Sequence, residues 1–272
     1  MRIAKWFLAA VLSVPALAGA ADVLYGGSST LADTVLQGGI VQGFQGKTGI
    51  KVQLADLSGT GKGLKALAEG KLHVVGAGRT LTPDEKKSGL LGTIVGYDGL
   101  AVFVNKANPV KDLSKEQLKD VFTGKVKSWK DLGGKDVKIV TQIEPLASKR
   151  ATVQTVQELI LDGAPFVQGI REVESLKEQL AEVSRSEGAI CIASIGFLAS
   201  APPGVRDAVR TVSLDATPPS DANIRSGAYL LSRPMLLVTK GLAVGDVKSF
   251  MEYVLSKEGQ VIVEKFFVAV KK

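Results

Sequence analysis

The stretch IKVQLADLSGTGKGLKALAEGKLHVVGA, positions 50–77, decides the fold class. Ile50-Lys51-Val52-Gln53-Leu54 alternates apolar and polar residues as a half-buried strand does. Ser58-Gly59-Thr60-Gly61 is a small-residue loop, 62–69 is helix-like, and Leu72-His73-Val74-Val75-Gly76-Ala77 reads as a further strand. Strand, loop, helix and strand is the grammar of a parallel βαβ unit. The same order precedes it: Val23-Leu24-Tyr25 is a short apolar strand, Gly26-Gly27-Ser28-Ser29-Thr30 a loop, and 31–47 helix-like.

Downstream, 93–105 is a long β-branched apolar run, suited to a strand that crosses between lobes, and Met235-Leu236-Leu237-Val238-Thr239 is a second candidate crossing. Between them lie helix-like 114–122, a short helix near Trp129, strand-like 138–141, helix-like 151–161 and 176–184, and a strand over 189–193. Ser114 with Gln117 three residues on is a capping-box start. Ala201-Pro202-Pro203-Gly204 and Thr217-Pro218-Pro219-Ser220 are turn punctuation, and helices follow over 244–255 and from 257. Periodicity gives the α/β class. The expected plan beyond it is two lobes, the first discontinuous over 21–106 and 224–272 and the second over 107–223.

Residues 1–20 read as an export signal: Arg2 and Lys5 precede an apolar run, and Ala18-Gly19-Ala20 fits the small-residue cleavage rule. The apolar run falls short of the ~20 residues that a bilayer span needs. The expected location is therefore periplasmic. The formal charge of +7 becomes +5 once Arg2 and Lys5 leave, a modest excess compatible with an anionic ligand. Aromatic residues make up 6% of the chain and no dense basic run interleaves with them, which argues against nucleic acid as a partner. Cys191 is the single cysteine, so no intramolecular disulfide forms, and its apolar neighbours mark it as a buried small hydrophobe.

Several stretches, in order, resemble the phosphate-binding subunit of bacterial phosphate ABC transporters. They include Gly27-Ser28-Ser29-Thr30-Leu31, Ser58-Gly59-Thr60-Gly61, Val75-Gly76-Ala77-Gly78-Arg79-Thr80-Leu81 and Tyr97-Asp98-Gly99-Leu100-Ala101-Val102-Phe103-Val104-Asn105. Val121-Phe122-Thr123-Gly124-Lys125, Trp129-Lys130-Asp131-Leu132-Gly133-Gly134, Leu231-Ser232-Arg233-Pro234 and Val254-Leu255-Ser256-Lys257-Glu258-Gly259-Gln260 continue the series. The resemblance implies a type II periplasmic-binding-protein fold, two lobes joined by a two-strand hinge, and no enzymatic activity or cofactor. It also implies a monomer that takes phosphate or a related oxyanion and hands it to an inner-membrane ABC transporter permease.

The start of a helix presents free N–H groups and the positive end of its dipole, both favourable to an anion. Thr30 and Leu31, with Ser29 before them, stand at one such start, and Ser58, Thr60 and Gly61 at the next. Gly61-Lys62 does not make a nucleotide P-loop, because Asp56 and Gly63 occupy positions where that motif needs Gly and Ser or Thr. By the resemblance, Arg79 holds a ligand-contacting position, its fork suited to two oxygens at once; an ion pair with a neighbouring acid is the competing role. The second lobe departs from the family. Where the family has Arg, an acid and a Ser-Gly-Thr turn, this chain has Ile143-Glu144-Pro145-Leu146-Ala147-Ser148-Lys149-Arg150-Ala151-Thr152. Ser148, Lys149 and Arg150 are the candidates to replace the turn. Glu144 is the first candidate to accept a ligand proton, with Asp56 and Asp98 behind it.

Two other roles fit the same residues: a ligand sensor or assembly protein on this fold, and an exported phosphatase or esterase. The second lacks a Gly-x-Ser-x-Gly elbow, a His-Glu-x-x-His pair or a cysteine cluster, and His73, the only histidine, sits in a strand-like run as a structural residue does.

Overall fold

Successive side chains of the central strands face opposite ways, and each face finds its own apolar layer. In the computed structural model, which describes residues 22–148 and 150–270, Val74 joins a cluster with Tyr25, Phe44 and Phe250, while Val75 joins another with Leu64, Leu67 and Val238. Burial on both faces explains why these strands read as near-continuous apolar runs.

Strands β1 (Val23–Gly27), β2 (Val52–Asp56) and β3 (Val74–Ala77) pair in parallel in the order β2-β1-β3. Their crossovers are helix α1, residues 29–48, and helix α2 (Thr60–Ala68). Helix α1 is α-helical over Ser29–Leu31 and Val41–Thr48 and π-wound over Ala32–Ile40, with a break at Gly39. The Gly38-Gly39 pair is a weak point where such a bulge is tolerated. Strand β4 (Leu90–Asn105) is sixteen residues long and starts three residues before the apolar run at 93.

The second half of the sheet contains β5 (Asp112–Leu113), β6 (Val140–Ile143), β7 (Arg171–Glu172), β8 (Ala189–Ser194) and β9 (Val209–Leu214). Helices α3 (Lys115–Phe122), α4 (Ala151–Leu159) and α5 (Leu176–Arg185) accompany them. The capping box at Ser114 forms as expected: its hydroxyl accepts from Gln117 N at 3.1 Å and its amide donates to Gln117 Oε1 at 2.9 Å. Strand β6 begins two residues later than the sequence suggests, because Lys138 is bridged to Ser128 and Ile139 N donates to Lys127 O. Strand β9 was not expected; its buried Val209, Val212 and Leu214 break the period of two. Alternation again sorts the layers here, with Leu100, Val102 and Val104 in one cluster and Ala101, Phe103 and buried Cys191 in the other.

The chain returns through β10 (Ser232–Lys240), which lies antiparallel between β3 and β4, and closes with α6 (Gly245–Leu255), α7 (Lys257–Val263) and β11 (Val268–Ala269). The main path of the sheet is β2-β1-β3-β10-β4-β8-β6-β7, with β9 and β11 also paired to β4 and β5 paired to β9. Residues 90–99 of β4 pair with β10, and residues 100–104 pair with β8, so β4 spans both halves as expected. Met235 to Thr239, by contrast, lie wholly in the first half. The second passage is earlier, at Ser232 and Arg233, paired with Gly99 and Asp98. These two passages form the hinge of a type II periplasmic-binding-protein fold with two α/β lobes.

Ile224, Tyr229 and Leu231, on the first-lobe side of the expected boundary at 223/224, pack with Leu100 and Val102 in the second-half core. The export signal at 1–20 and Lys149 lie outside the described residues. Among the described residues no helix is long and apolar enough to cross a membrane.

Candidate functional site

Three helix starts meet at one small pocket in the cleft. The first is that of α1. Strand β1 ends at Gly27, and Ser28 caps the helix, its hydroxyl accepting from Leu31 N at 3.2 Å while its own N–H donates to Gly76 O at 2.8 Å. Tyr25, whose phenol is pushed well above its usual range by burial, donates to Ser28 O at 3.0 Å and fixes the loop from below. Ser28, Ser29 and Thr30 line the pocket.

The second start, that of α2, has no side-chain cap. Asp56 holds the preceding turn by accepting from Ser58 N at 2.9 Å. Gly59 N donates to Gly27 O at 3.0 Å, which ties the second loop to the first. Thr60, 1% exposed, lines the pocket beside Gly59, and its hydroxyl accepts from Gly78 N at 3.2 Å.

The third start belongs to the other lobe. A 3-10 turn over Leu146–Ser148 carries the chain from β6 to α4, whose N-terminus also lacks a side-chain cap. Arg150, Ala151 and Thr152 face the pocket. Arg150 Nη1 donates to Glu144 Oε1 at 2.9 Å and to Glu174 O at 2.6 Å, and Nη2 to Glu174 Oε2 at 3.1 Å. Its Nε is buried with no partner among the described residues. Glu144, 3% exposed, and Arg233, 4% exposed, complete the lining.

The pocket is narrow and partly open to solvent. A wider surface groove beside Lys127, Lys138 and Arg171 gathers no helix start. First-turn N–H groups, the hydroxyls of Ser29, Thr30, Thr60 and Thr152 and two guanidiniums meeting in so small a space form a donor-rich site for a compact anion. Glu144 and Asp98 balance Arg150 and Arg233, so the negative charge of a ligand is met chiefly by backbone dipoles. Among the described residues no group of His, Cys, Asp and Glu is placed to hold a metal.

The structure therefore brings together Ser29, Thr30, Thr60, Glu144 and Arg150 from the sequence candidates. Leu31, Ser58 and Gly61 stand behind them without lining the pocket; the Ser58 hydroxyl is buried and unpartnered. Ser148 turns its hydroxyl onto Pro145 O at 2.5 Å. His73 accepts from Leu24 N at 3.1 Å on the sheet, a structural role. Asp98 accepts from Arg233 instead of facing the ligand space.

Arg79 is the clearest departure. Both arms of its fork are held by Glu85, at 2.8 and 2.9 Å, which also drives the Glu85 carboxyl below its usual range, and it does not line the pocket. Glu85 is itself pinned by the capping box at Thr82, a signal visible in Thr82-Pro83-Asp84-Glu85. Arg79→Ala is thus expected to leave anion affinity unchanged in calorimetric titration while lowering stability by about 1 kcal/mol, the scale of a partly exposed pair. A tenfold loss of affinity would return Arg79 to the site.

Thr152 and Arg233 are the functional candidates that sequence reasoning missed. The available signal for Arg233 was a charged residue inside the otherwise apolar run around Leu231 and Met235, matched by Asp98 inside another; such charges are buried in pairs.

A family model described as "PBP superfamily domain" matches residues 14–258. The chain is 35% identical over 209 residues to the phosphate-binding protein PstS of Bacillus subtilis, a match covering 74% of this chain and 65% of that protein. It thus spans slightly less than two thirds of that relative. A solved structure from Clostridium perfringens, described as a candidate phosphate ABC transporter substrate-binding protein with bound phosphate, is 29% identical, with a TM-score of 0.76 over 92% of this chain and 100% of that one. A Vibrio cholerae ABC-type phosphate transport receptor, 24% identical with a TM-score of 0.74 over 92% and 100% of the two chains, shares the fold.

Proposed function

The chain belongs to the PBP superfamily domain family, and from that premise we propose that it is a solute-binding protein which closes around a small oxyanion, phosphate foremost. The observation that carries this reading is the convergence of three helix starts, from two lobes, on one small pocket. The names of the Bacillus subtilis and Clostridium perfringens relatives support phosphate in particular.

In this reading Ser29, Thr30 and Thr60 receive the anion on the first lobe. Arg150 and Thr152 complete its donors when the second lobe swings in. Glu144, buried beside Arg150, accepts a hydrogen bond from the O–H of a protonated oxyanion and disfavours one that has none. Export through residues 1–20, action outside the cytoplasm as a monomer, and delivery to the permease of an ABC transporter belong to the same proposal. So does a division into two lobes, whose boundaries follow the passages near Gly99 and Ser232 rather than the expected 106/107 and 223/224.

The test is calorimetric titration of protein stripped of ligand by unfolding and refolding, with inorganic phosphate and with sulfate. Phosphate is expected to bind tightly and to raise the melting temperature, since only the folded form holds it; sulfate is expected to do neither. Absence of phosphate binding sinks the proposal.

A further inference from the structure

Arg233 stands where the two passages between the lobes run side by side. It lies opposite Asp98 in the register of β10 and β4, one residue from the point at which β4 leaves β10 for β8. Both side chains are buried, at 4% and 0% exposure. Nε and Nη2 donate to a single Asp98 oxygen at 3.0 and 2.8 Å, and the other Asp98 oxygen accepts from Ser194 Oγ at 2.8 Å. The remaining arm is turned away from that carboxylate. Among the described residues Nη1 has one partner, the Thr152 hydroxyl at a long 3.4 Å, and a methyl group added to Gly78 would stand 3.2 Å from it. One guanidinium is thus anchored on the hinge, lines the pocket and touches the helix start carried by the second lobe.

We infer that Arg233 is the residue through which an anion in the pocket closes the hinge, an inference that rests on the oxyanion reading above. A guanidinium has five N–H donors in a fixed plane. Asp98 uses two of them to set that plane, which leaves Nη1 to share a ligand oxygen with Thr152. Contact with Thr152 requires the lobes to be together, whereas the contact with Asp98 stays within the hinge. The ligand therefore gains an interaction in the closed form that the open form lacks, and this difference is what shifts a two-state equilibrium. Lysine, with a single mobile ammonium, keeps the charge but loses the anchored direction.

The experiment compares wild type, Arg233→Lys, Thr60→Ala and the Arg233→Gln/Asp98→Asn double variant, the last removing both buried charges together so that folding does not depend on an unpaired one. Each is stripped of ligand and titrated calorimetrically with inorganic phosphate, and its compactness is followed by small-angle scattering with and without saturating phosphate. Wild type is expected to bind and contract. Arg233→Lys and the double variant are expected to bind roughly 10- to 100-fold more weakly, as for loss of a hydrogen bond to a charged group, and to stay expanded even when saturated. Thr60→Ala is expected to lose affinity yet contract fully at saturation. If wild type binds phosphate and both Arg233 variants contract as it does, or if wild type itself does not contract, the hinge role falls while the binding function stands. If wild type binds no phosphate, the oxyanion reading falls first.

Discussion

Asp98→Ala is expected to remove about 3–5 kcal/mol of folding stability, the cost of leaving one member of a buried ion pair without its partner. Asp98 is fully buried and Arg233 is 4% exposed, so the orphaned guanidinium has little water to turn to. Burial alone raises the Asp98 carboxyl; Arg233 and the Ser194 hydroxyl act against that rise by favouring the ion. Removing the carboxylate also strips Ser194 of its acceptor. Asp98→Asn should cost less, because the amide oxygen still accepts from the guanidinium. The check is urea unfolding followed by the fluorescence of Trp129, which is buried in the second-half core. The midpoint should fall with the slope unchanged, and against a usual total of about 5–15 kcal/mol the loss is severe. Stability within about 1 kcal/mol of wild type, the scale of an exposed pair, would mean that Arg233 reaches solvent.

The pairing of Asp98 with Arg233 also marks the limit of what the sequence discloses. Alternation and turn residues are local, and they located β1, β2, β3, β8 and helices α1 to α5 to within a few residues, though not the short helix Pro83–Lys87. The first two helix starts of the site were legible for the same reason: Ser28-Ser29-Thr30 and Ser58-Gly59-Thr60 each sit between a strand-like and a helix-like segment. The choice between two arginines was not local. Arg79 is captured by Glu85 six residues away, whereas Arg233 meets a carboxylate 135 residues away, a pairing set by the register of β10 on β4. The resemblance pointed to the stretch 143–152 in the second lobe, where the helix starts at Ala151 and brings Thr152 rather than Ser148 to the pocket. Strand β10 was found but not its path. An apolar run gives no sign of whether it stays in one lobe or crosses between two.

Gly63→Ala is expected to weaken phosphate binding roughly 10- to 100-fold, an effect opposite to what local helix propensity predicts. Alanine in place of glycine inside α2 should favour the helix by about 1 kcal/mol. The methyl group, however, would stand 2.5 Å from Gly27 Cα and 2.8 Å from Gly27 N, both backbone atoms of the loop that carries Ser28. Carbon atoms need about 3.5–4.0 Å, so the two elements must part by about 1 Å. Overpacking of this kind costs about 1–3 kcal/mol, more than propensity returns. Parting also pulls Gly59 N from Gly27 O and Thr60 from Gly78 N, the bonds that hold the second helix start beside the first. The anion then loses donors worth about 1.5–3 kcal/mol each, which is the source of the expected affinity change. Gly61→Ala is the control: a methyl group there meets nothing within 4 Å, and the backbone N–H is kept, so binding should be unchanged. If calorimetry finds Gly63→Ala binding phosphate as tightly as wild type, the close approach of the two loops does not set the site, and the anion must be held mainly by Arg150, Thr152 and Arg233.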